Sequence, residues 1–404
     1  MLPWPRLPQH LTWLQSETQR LLGFGVRAIV PGKGAAWLDG SGLPDESHPV
    51  ETWITCRTAH VYSLGVLLGR PGSQVLAQGA VDALALGPLR DATHGGWFHD
   101  ARQQGAKEAY DHAFVVLASS SATLAGLDGA RQLLDDALDT IMERFWDEEH
   151  GLMVDAVSPS FDSVDPYRGI NANMHSVEAF LAAADVTGDV AWLRRAERIA
   201  RFARSQAEAN QWRLPEHFDE DWVPQLEYNV DRPDDPFRPY GATVGHGLEW
   251  ARLFLHLQAA LGDTEAGWVD AAVSLYDRAV ADGWAADGKE GFVYTTGWDG
   301  TPVTRDRMHW VAAEAIGAAA ALYSATGDER FASDYARWWD HAETCFIDRF
   351  DGSWFHQLDP QNRPTDTVWP GKPDLYHAVQ ATLIPRLPLT PSLATAVSRG
   401  LLQG

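Results

Sequence analysis

The segment 243–250, TVGHGLEW, places an imidazole and a carboxylate where they could move protons together. His246 and Glu249 are three residues apart, so one face of a helix would carry both. An imidazole beside a carboxylate suits acid–base chemistry near neutral pH. The pair by itself is equally compatible with a buried histidine that finds its hydrogen-bond partner within the helix.

Similar groupings recur along the chain. Trp53, Arg57 and His60 follow one another at spacings of four and three and would share a helix face. A guanidinium in such an apolar segment is costly unless it meets an anion. Arg57 is therefore either a cation for negative charge that develops on a substrate or one half of an internal salt bridge.

A third grouping contains Asn171, His175 and Glu178. The asparagine and histidine could donate hydrogen bonds to hydroxyl groups, with Glu178 orienting the ring of His175. Asn171 is also a good helix-capping residue, so capping is an alternative for it.

Two further pairs lie near the end of the chain. Trp310 precedes Glu314 by four residues, which would set an aromatic ring over a carboxylate. His377 follows Asp374 by three at a helix start, where Asp374 could instead cap the helix. We interpret a set of other histidines as structural or solvated: His94, His99, His112, His150, His217, His256, His341 and His356.

Two kinds of helix must position these groups, and they alternate. One kind has apolar residues at spacings of three and four and a charged opposite face, as expected for a helix with one solvent-facing side. It is predicted near 9–22, 72–88, 128–146, 189–208, 264–283 and 328–348. The other kind begins with polar and aromatic residues and becomes apolar on nearly all sides, as in a buried helix. It is predicted over 51–68, 107–124, 170–185, 243–261, 306–325 and 373–385.

Six exposed and six buried helices predict two concentric rings in a single domain, 1–404. Three tight Gly-Asp turns at 188–189, 262–263 and 327–328 would end a buried helix and cap the next one. The longer links, with strand-like pieces and a loop at 223–240, would form the opposite rim. The buried helices start at that rim, so we expect a pocket lined by Trp53, Arg57, His60, Tyr110, Asn171, Asn173, His175, Glu178, His246, Glu249, Trp310, Glu314, Asp374 and His377.

Composition narrows the function classes. Thirty-two basic against 55 acidic residues give a net charge of −23, which disfavours nucleic-acid binding. Eighteen tryptophans suit carbohydrate recognition, because indole rings stack on sugar faces. We find no signal-peptide pattern, no apolar run near about 18 residues and only two cysteines, so we expect a cytoplasmic protein outside the membrane. No metal, nucleotide or GxSxG motif is present, so no metal or cofactor is expected.

With those residues in place, nearly the whole chain resembles the N-acylglucosamine 2-epimerase superfamily. That superfamily includes sugar 2-epimerases and aldose–ketose isomerases acting on mannose or sulfoquinovose. The motifs that carry the resemblance are WxxxR (Trp53, Arg57), NxNMHxxEAxL (Asn171 to Leu181), GHxxEW (Gly245 to Trp250), HWxxAEAxGA (Trp310, Glu314) and YHA (Tyr376, His377).

The resemblance implies an all-α (α/α)6 barrel, with short β-hairpins in the long loops of one rim. It implies proton transfer by His246 and His377, with Glu249 as partner of His246 and Arg57 as the stabilising cation. The substrate-binding residues it implies are Trp53, Tyr110, Asn171, His175, Trp310, Glu314 and Trp369.

Within that family the pattern looks closest to a metal-independent isomerase of D-mannose and D-fructose, with lyxose or glucose as further substrates, working as a monomer or homodimer. A sugar 2-epimerase remains open. So does a sulfoquinovose isomerase, which would need loop cations such as Arg238, Arg363 or Lys372 for the sulfonate. Remoter alternatives are an inverting glycoside hydrolase and a non-catalytic sugar-binding protein.

Overall fold

Helices dominate the chain. The computed structural model describes residues 2–262 and 267–403, and thirteen α-helices lie within them. Their bounds are α1 (Pro8–Phe24), α2 (Thr52–Leu67), α3 (Ser73–Leu86), α4 (Ala109–Leu124), α5 (Ala130–Arg144), α6 (Ile170–Thr187), α7 (Ala191–Ala209), α8 (Val244–Leu261), α9 (Trp268–Gly283), α10 (His309–Thr326), α11 (Glu329–His341), α12 (Tyr376–Leu383) and α13 (Leu393–Ser398).

The even-numbered helices α2 to α12 form an inner ring, and the odd-numbered helices α1 to α11 cover it from outside. Burial separates the two sets as the apolar patterns predict: 14 of the 18 residues of α10 are buried, against 6 of the 19 in α7. Each inner helix packs against its neighbours, and α12 closes the ring by contacting both α10 and α2. The predicted (α/α)6 barrel is confirmed.

Tight turns join inner to outer helices at one rim. Three inner helices end at a glycine in the left-handed conformation: Gly188, Gly262 and Gly327. The carboxylates of Asp189 and Asp328 then accept hydrogen bonds from the first turns of α7 and α11, as predicted. The expected cap Asp263 and the first residues of the helix predicted over 264–283 lie outside the described residues.

Short strands occupy the opposite rim. They are β1 (Ile29–Val30), β2 (Gly34–Ala35), β3 (Lys107–Glu108), β4 (Trp146–Asp147), β5 (Leu152–Met153), β6 (Ala156–Val157), β7 (Arg168–Gly169), β8 (His217–Phe218), β9 (Ala242–Thr243), β10 (Thr295–Thr296), β11 (Arg307–Met308), β12 (Gln357–Leu358) and β13 (Pro364–Thr365). All pairs are antiparallel: β1–β2, β3–β6, β4–β5, β7–β8, β9–β10, β11–β12 and β12–β13.

Four of these strands immediately precede an inner helix and pair with the next long loop. Strand β3 leads into α4, β7 into α6, β9 into α8 and β11 into α10. Thr243 lies opposite Thr295 and Met308 opposite Gln357, for example. The pairing fixes the starting point of each helix against its neighbour in the ring. Backbone hydrogen bonds between strands therefore connect successive loops, in addition to the hairpins within single loops.

Three features depart from the patterns in the sequence. The outer helix predicted over 328–348 ends at His341 and continues as a π-helical turn, Ala342–Phe346. The last inner helix begins at Tyr376 rather than 373. The short helix α13, which was not predicted, contacts α2, α4 and α6. Among the described residues, no helix combines the length and the apolar character needed to cross a bilayer.

Candidate active site

The amino ends of the inner helices surround a cavity at the rim of the long loops. Its volume is about 690 Å3, including the open space at its entrance. Each inner helix brings residues from its first two turns or from just before them. The lining includes these predicted residues: Trp53, Arg57, Tyr110, Asn171, His175, His246, Glu249, Trp310, Trp369, Asp374 and His377. It also includes residues that sequence reasoning missed: Pro236, Phe237, Pro239, Tyr294, His309, His356 and Pro373.

His377 lies at the start of α12 with one ring nitrogen engaged. Its Nδ1 is 2.6 Å from Asp374 Oδ2, and Asp374 Oδ1 accepts a hydrogen bond from the Tyr376 amide at 2.8 Å. Asp374 thus orients the imidazole and accepts a hydrogen bond from the first amide of the helix, although Leu375 rather than Asp374 occupies the capping position. With Nδ1–H donated to a carboxylate, Nε2 is the nitrogen free to exchange protons with a bound molecule.

Arg57 completes this network. Its Nη1 donates to Asp374 Oδ2 at 2.9 Å and its Nη2 to the Tyr110 hydroxyl at 2.9 Å. Burial opposes ionisation of Asp374, but Arg57 and His377 outweigh it and hold the pKa of that carboxyl well below its usual range. The guanidinium is therefore both an internal ion-pair partner and a cation in the cavity wall.

The partner predicted for His246 is wrong. His246 Nδ1 lies 2.9 Å from Glu216 Oε2, and Glu216 is buried just before strand β8. Glu249 sits one helical turn along α8, but its carboxylate faces the inside of the barrel, 3.5 Å from Arg252 Nη2. The true partner comes from another loop, and its nearest sequence signal is the segment LPEHF. The result parallels His377: an imidazole held at Nδ1 by a carboxylate, with Nε2 left free.

Trp310 connects the two imidazoles. Its ring centroid lies 5.2 Å from that of His246 and 5.9 Å from that of His377. The indole therefore lies between the two rings in the wall they share. Neither imidazole is sealed behind packed side chains, because both line the cavity.

A buried charge cluster underlies the cavity floor. Glu249 lines the floor, and its pKa is raised well above the usual range by burial and by the neighbouring Glu314. Glu314 accepts a hydrogen bond from Arg252 Nε at 2.9 Å and is not among the lining residues. The expected substrate contact by Glu314 is thus not supported by the lining, although a carboxylate oxygen of Glu314 lies within 4.8 Å of a ring nitrogen of His377.

Three more residues that were expected to line the cavity, Glu178, His60 and Asn173, lie behind its wall instead. Glu178 does not orient His175; it accepts hydrogen bonds from Tyr376 and from Gln380. His60 bonds Ser121 Oγ at 2.7 Å, away from the cavity. The Asn173 amide holds the backbone of the β4–β5 hairpin at Met153.

Asn171 and His175 both line the cavity with unused hydrogen-bonding capacity. Gly169 rather than Asn171 occupies the capping position of α6. The Asn171 Oδ1 and His175 Nδ1 atoms are buried without a hydrogen-bond partner among the described residues. Burial, together with the charge of Arg57, lowers the pKa of His175 well below its usual value, so its ring is neutral. A polar molecule in the cavity would satisfy these atoms.

Two histidines that sequence reasoning passed over form one side of the cavity. The rings of His309 and His356 stack with centroids 3.9 Å apart and planes 5° from parallel. His356 was interpreted as structural or solvated, but it lines the cavity, and its Nε2 bonds the backbone oxygen of Asp374 at 3.1 Å. The position of His309 next to Trp310 in a helix start was the available signal.

Aromatic and proline side chains form the mouth. Phe237 from the 223–240 loop packs edge-on against Trp53 and Trp369, with centroids 6.4 and 5.2 Å apart. The loop is tethered through Arg238, whose Nη2 lies 3.0 Å from Asp155 Oδ2. The long loop thus covers the site, as its length suggests.

The cations proposed for a sulfonate are engaged elsewhere. Arg238 pairs with Asp155, Lys372 is buried against Asp348, and Arg363 pairs with Asp359. None of the three is among the described residues that line the cavity. A sulfosugar would meet no unpaired cation from this set.

Four donor clusters among the described residues have the spacing of a metal site, and one of them consists entirely of cavity-lining residues. Atoms of His309, Asp374 and His377 lie within 4.8 Å of one another. The Asp374 oxygen in that cluster already accepts from Arg57 and from His377, so a metal ion would face a guanidinium across the same carboxylate. Such a donor set favours proton transfer by side chains over metal binding.

Comparison with known proteins agrees with this geometry. A protein named D-mannose isomerase from Thermobifida fusca is 52% identical over 98% of this chain and 99% of its own length. Another from Pseudomonas cannabina pv. alisalensis is 46% identical over 98% and 97%. A crystal structure of D-mannose isomerase has a TM-score of 0.85 at 30% identity and covers 92% of this chain and 96% of its own.

The family model of N-acylglucosamine 2-epimerase (GlcNAc 2-epimerase) matches residues 34–381, which include every cavity-lining residue named above. The family model and the full-length relatives thus agree, and together they cover the barrel and its cavity. The chain belongs to the N-acylglucosamine 2-epimerase family.

Proposed function

We propose that the protein is a D-mannose isomerase, which interconverts D-mannose and D-fructose without a metal ion. The observation that carries the proposal is a pair of imidazoles facing one sugar-sized cavity, each held at Nδ1 by its own carboxylate. The relatives named D-mannose isomerase, at 52% and 46% identity, support the choice of reaction.

The first step is ring opening, because free mannose is mainly a closed ring. His246 takes the proton of the anomeric hydroxyl on Nε2 and passes it to the ring oxygen, which breaks the C1–O5 bond. Glu216 holds Nδ1–H and stabilises the imidazolium that forms between the two transfers.

The second step moves hydrogen between carbons. His377 Nε2 removes the C2 proton of the open aldose and returns it to C1 on the same face. Asp374 stabilises the charged ring in between, since its pKa is held low and it stays ionised. The product of this transfer is the ketose.

The enediolate between these transfers carries negative charge that the wall must offset. Arg57 supplies a fixed positive charge, and Tyr110 OH is held next to it at 2.9 Å from Nη2. Asn171 and His175 offer unused polar atoms to the sugar hydroxyls. The indole of Trp310 provides an apolar surface for the sugar's C–H groups.

A sugar 2-epimerase is the nearest alternative, because two imidazoles flanking one sugar could add and remove the C2 proton from opposite faces. An inverting glycoside hydrolase is disfavoured. It needs two carboxylates about 6.5–9.5 Å apart. Carboxylate oxygens of Glu249 and Glu314 lie within 4.8 Å of each other, and so do those of Glu249 and Glu178.

The reaction can be tested with the purified protein, D-mannose, D2O and a chelator, followed by NMR. We expect fructose that carries deuterium at C1, because the proton held by His377 exchanges with solvent before it returns. Glucose without fructose would identify an epimerase instead. Mannose left unchanged after long incubation would contradict the proposal and favour a sugar-binding role.

The role of His377 is tested by His377→Gln. Loss of the general base should slow fructose formation by about 10²–10⁴-fold. His94→Gln serves as the matched control, because His94 is exposed on a loop outside the cavity and should keep the wild-type rate. Circular dichroism of both variants checks the fold. Wild-type turnover by a folded His377→Gln variant would remove His377 from the mechanism.

The assembly and the compartment remain predictions. A monomer or a homodimer fits a cavity built within one chain. The two cysteines, Cys56 and Cys345, are free thiols, which is compatible with a cytoplasmic setting.

A further inference from the structure

The proposed reaction contains a second proton transfer that the two imidazoles described above leave open. Conversion of an aldose to a ketose moves hydrogen from C2 to C1, and it also moves a proton from the C2 hydroxyl to the C1 oxygen. His377 accounts for the transfer between carbons. Some group must also face O1 and O2 together, and the inference that follows rests on the proposed function.

His309 has the position that this second transfer requires. Its ring lies 6.0 Å from that of His377, with the planes at 88°, and both line the cavity. This separation lets one ring reach the carbons C1 and C2 of a bound sugar while the other reaches their oxygens. The two rings approach a bound sugar from different directions.

The Nε2 atom of His309 lies on the side of the ring that faces Asp374 and His377. Its Nδ1 faces the backbone oxygen of His356 at 3.4 Å, which favours a proton on Nδ1. Its Nε2 lies 3.7 Å from Asp374 Oδ2, next to His377, and has no hydrogen-bond partner among the described residues. A buried polar atom without a partner needs an explanation, and a sugar bound in the cavity that His309 lines would supply one.

The surroundings hold this ring in place. His309 stacks on His356 with centroids 3.9 Å apart, and the backbone amide of His309 donates to the His356 oxygen at 3.0 Å. His356 is in turn bonded to the backbone of Asp374. The position of Nε2 relative to His377 is therefore fixed before a substrate binds.

We propose that His309 is a third catalytic histidine, whose Nε2 carries the proton from O2 to the negatively charged O1 of the enediolate intermediate. The O2–H bond breaks as Nε2 takes the proton, and the same proton then forms the O1–H bond. His377 returns its own proton to C1 and the C2–O2 bond becomes the carbonyl. One proton leaves each donor atom and one proton reaches each acceptor atom, and solvent exchange on an imidazole replaces a proton without changing this balance, so no further reactant is needed.

The charges of the wall set the resting state of this ring; its low pKa opposes uptake of the O2 proton and favours release to O1. Burial lowers the pKa of His309 to about 4, so the ring is neutral at rest and its Nε2 lone pair is available. The imidazolium formed in passing would be a strong acid and would release its proton quickly to O1. The ionised Asp374 at 3.7 Å offsets the transient charge.

This transfer separates isomerisation from epimerisation. An epimerase returns a proton to C2, so O2 keeps its hydrogen and O1 becomes a carbonyl again. Loss of the His309 shuttle should therefore block fructose formation while leaving removal of the C2 proton possible. A purely structural role of His309 would slow both processes together.

The test compares His309→Phe with the wild type on D-mannose in D2O. Phenylalanine keeps an aromatic ring against His356 but has no nitrogen. His341→Phe is the matched control, since His341 is also buried with an unpartnered Nε2 but lies on the outer helix α11. NMR measures fructose formation and deuterium entering C2 of mannose and glucose, and deuterium at C1 of wild-type fructose calibrates solvent exchange.

We expect His309→Phe to form fructose at least about 100-fold more slowly, with C2 exchange reduced by less than tenfold, while His341→Phe matches the wild type. Fructose formation within tenfold of wild type, or an equal loss of exchange and fructose, would overturn the shuttle. If the wild type itself forms no fructose, the proposed function fails first, and that result is distinct from either outcome of the variant.

Discussion

The two imidazoles that we propose as proton carriers, His246 and His377, differ in where their carboxylates come from. Asp374 precedes His377 by three residues and also binds Arg57, so its charge is shared between an imidazole and a guanidinium. Glu216 reaches His246 from a loop thirty residues earlier, and its second oxygen is buried without a hydrogen-bond partner among the described residues. Glu216 can therefore give its full charge to one imidazole, which suits a ring that gains and loses a proton during ring opening.

We predict that Glu216→Gln lowers kcat for mannose by about 10²-fold and changes KM by no more than a few fold. The amide can still accept the Nδ1 hydrogen bond, but it carries no charge to stabilise the imidazolium. Glu220→Gln is the control, because Glu220 is exposed four residues further along the same loop.

Steady-state kinetics with a circular dichroism check of both variants decides the point. An unchanged kcat in folded Glu216→Gln would show that His246 works without this partner. A large rise in KM at constant kcat would mean that Glu216 serves sugar binding instead.

Helical spacing predicted most of the cavity-lining residues but not their partners. Spacing orders residues along one helix, so it placed Glu249 beside His246 and Glu178 beside His175. The actual partners of these side chains come from other elements: Glu216 for His246 and Tyr376 for Glu178. Which loops meet at the rim depends on how the ring of helices closes. A pattern within one helix carries no information about these contacts between loops.

At the scale of elements, close approach between α8 and α10 sets the position of Trp310. Gly245 lies in the first turn of α8, and a Cβ built on it would lie 2.2 Å from the Trp310 ring. The indole fills the space that a side chain would take. Glycine is therefore needed at this position because α10 packs closely against it, and not because α8 must be flexible there.

We predict that Gly245→Ala displaces Trp310 and with it the surface shared by His246 and His377, so kcat/KM for mannose should fall by at least tenfold. Gly247→Ala on the same helix is the control, since the nearest atom to its Cβ is 3.4 Å away. Alanine is a better helix former than glycine by about 0.5–1 kcal/mol. Gly247→Ala should thus keep activity and gain slightly in stability.

Kinetics and chemical denaturation of the two variants give the comparison. Equal activities would show that Trp310 can shift without consequence. The contrast is specific because both substitutions add one methyl group to one helix.

The helices themselves could be predicted because the apolar residues that face the core recur at helical spacing along the sequence. The alternation of amphipathic and all-apolar helices matched the outer and inner rings to within a few residues at most ends. Short hairpins were predicted in the long loops, but the bounds and the pairing of the strands could not be, since a strand of two residues carries no alternation. Helix α13 was missed because its six residues are too few to show a period.

At the scale of the molecule, the barrel depends on one late closure. Helix α12 is only eight residues long, yet it carries His377 and completes the ring between α10 and α2. Its outer cover is α1, from the other end of the chain, and Thr18 and Thr382 join the two through hydroxyls 2.8 Å apart. The end of the chain that carries His377 is thus supported by its beginning.

Glu17 is the main polar link in this closure. Its carboxylate is buried and accepts hydrogen bonds from Arg20 at 2.6 and 2.7 Å and from Trp354 Nε1 at 3.0 Å. Trp354 lies two residues before the cavity-lining His356. A single side chain on α1 therefore connects the outer ring to a wall of the site.

The single domain predicted for 1–404 remains to be tested, and Glu17 offers the means. Removing one partner of a buried charged pair costs about 3–5 kcal/mol, so Glu17→Ala should lower the free energy of unfolding by about that amount. If the ring is one cooperative unit, helix loss by circular dichroism and tryptophan exposure by fluorescence should shift together in a denaturant titration. Gln15→Ala, on the exposed face of α1, should leave both curves in place. Two separated transitions would contradict the single domain, whereas coincident curves at the wild-type midpoint would show that the closure does not depend on Glu17.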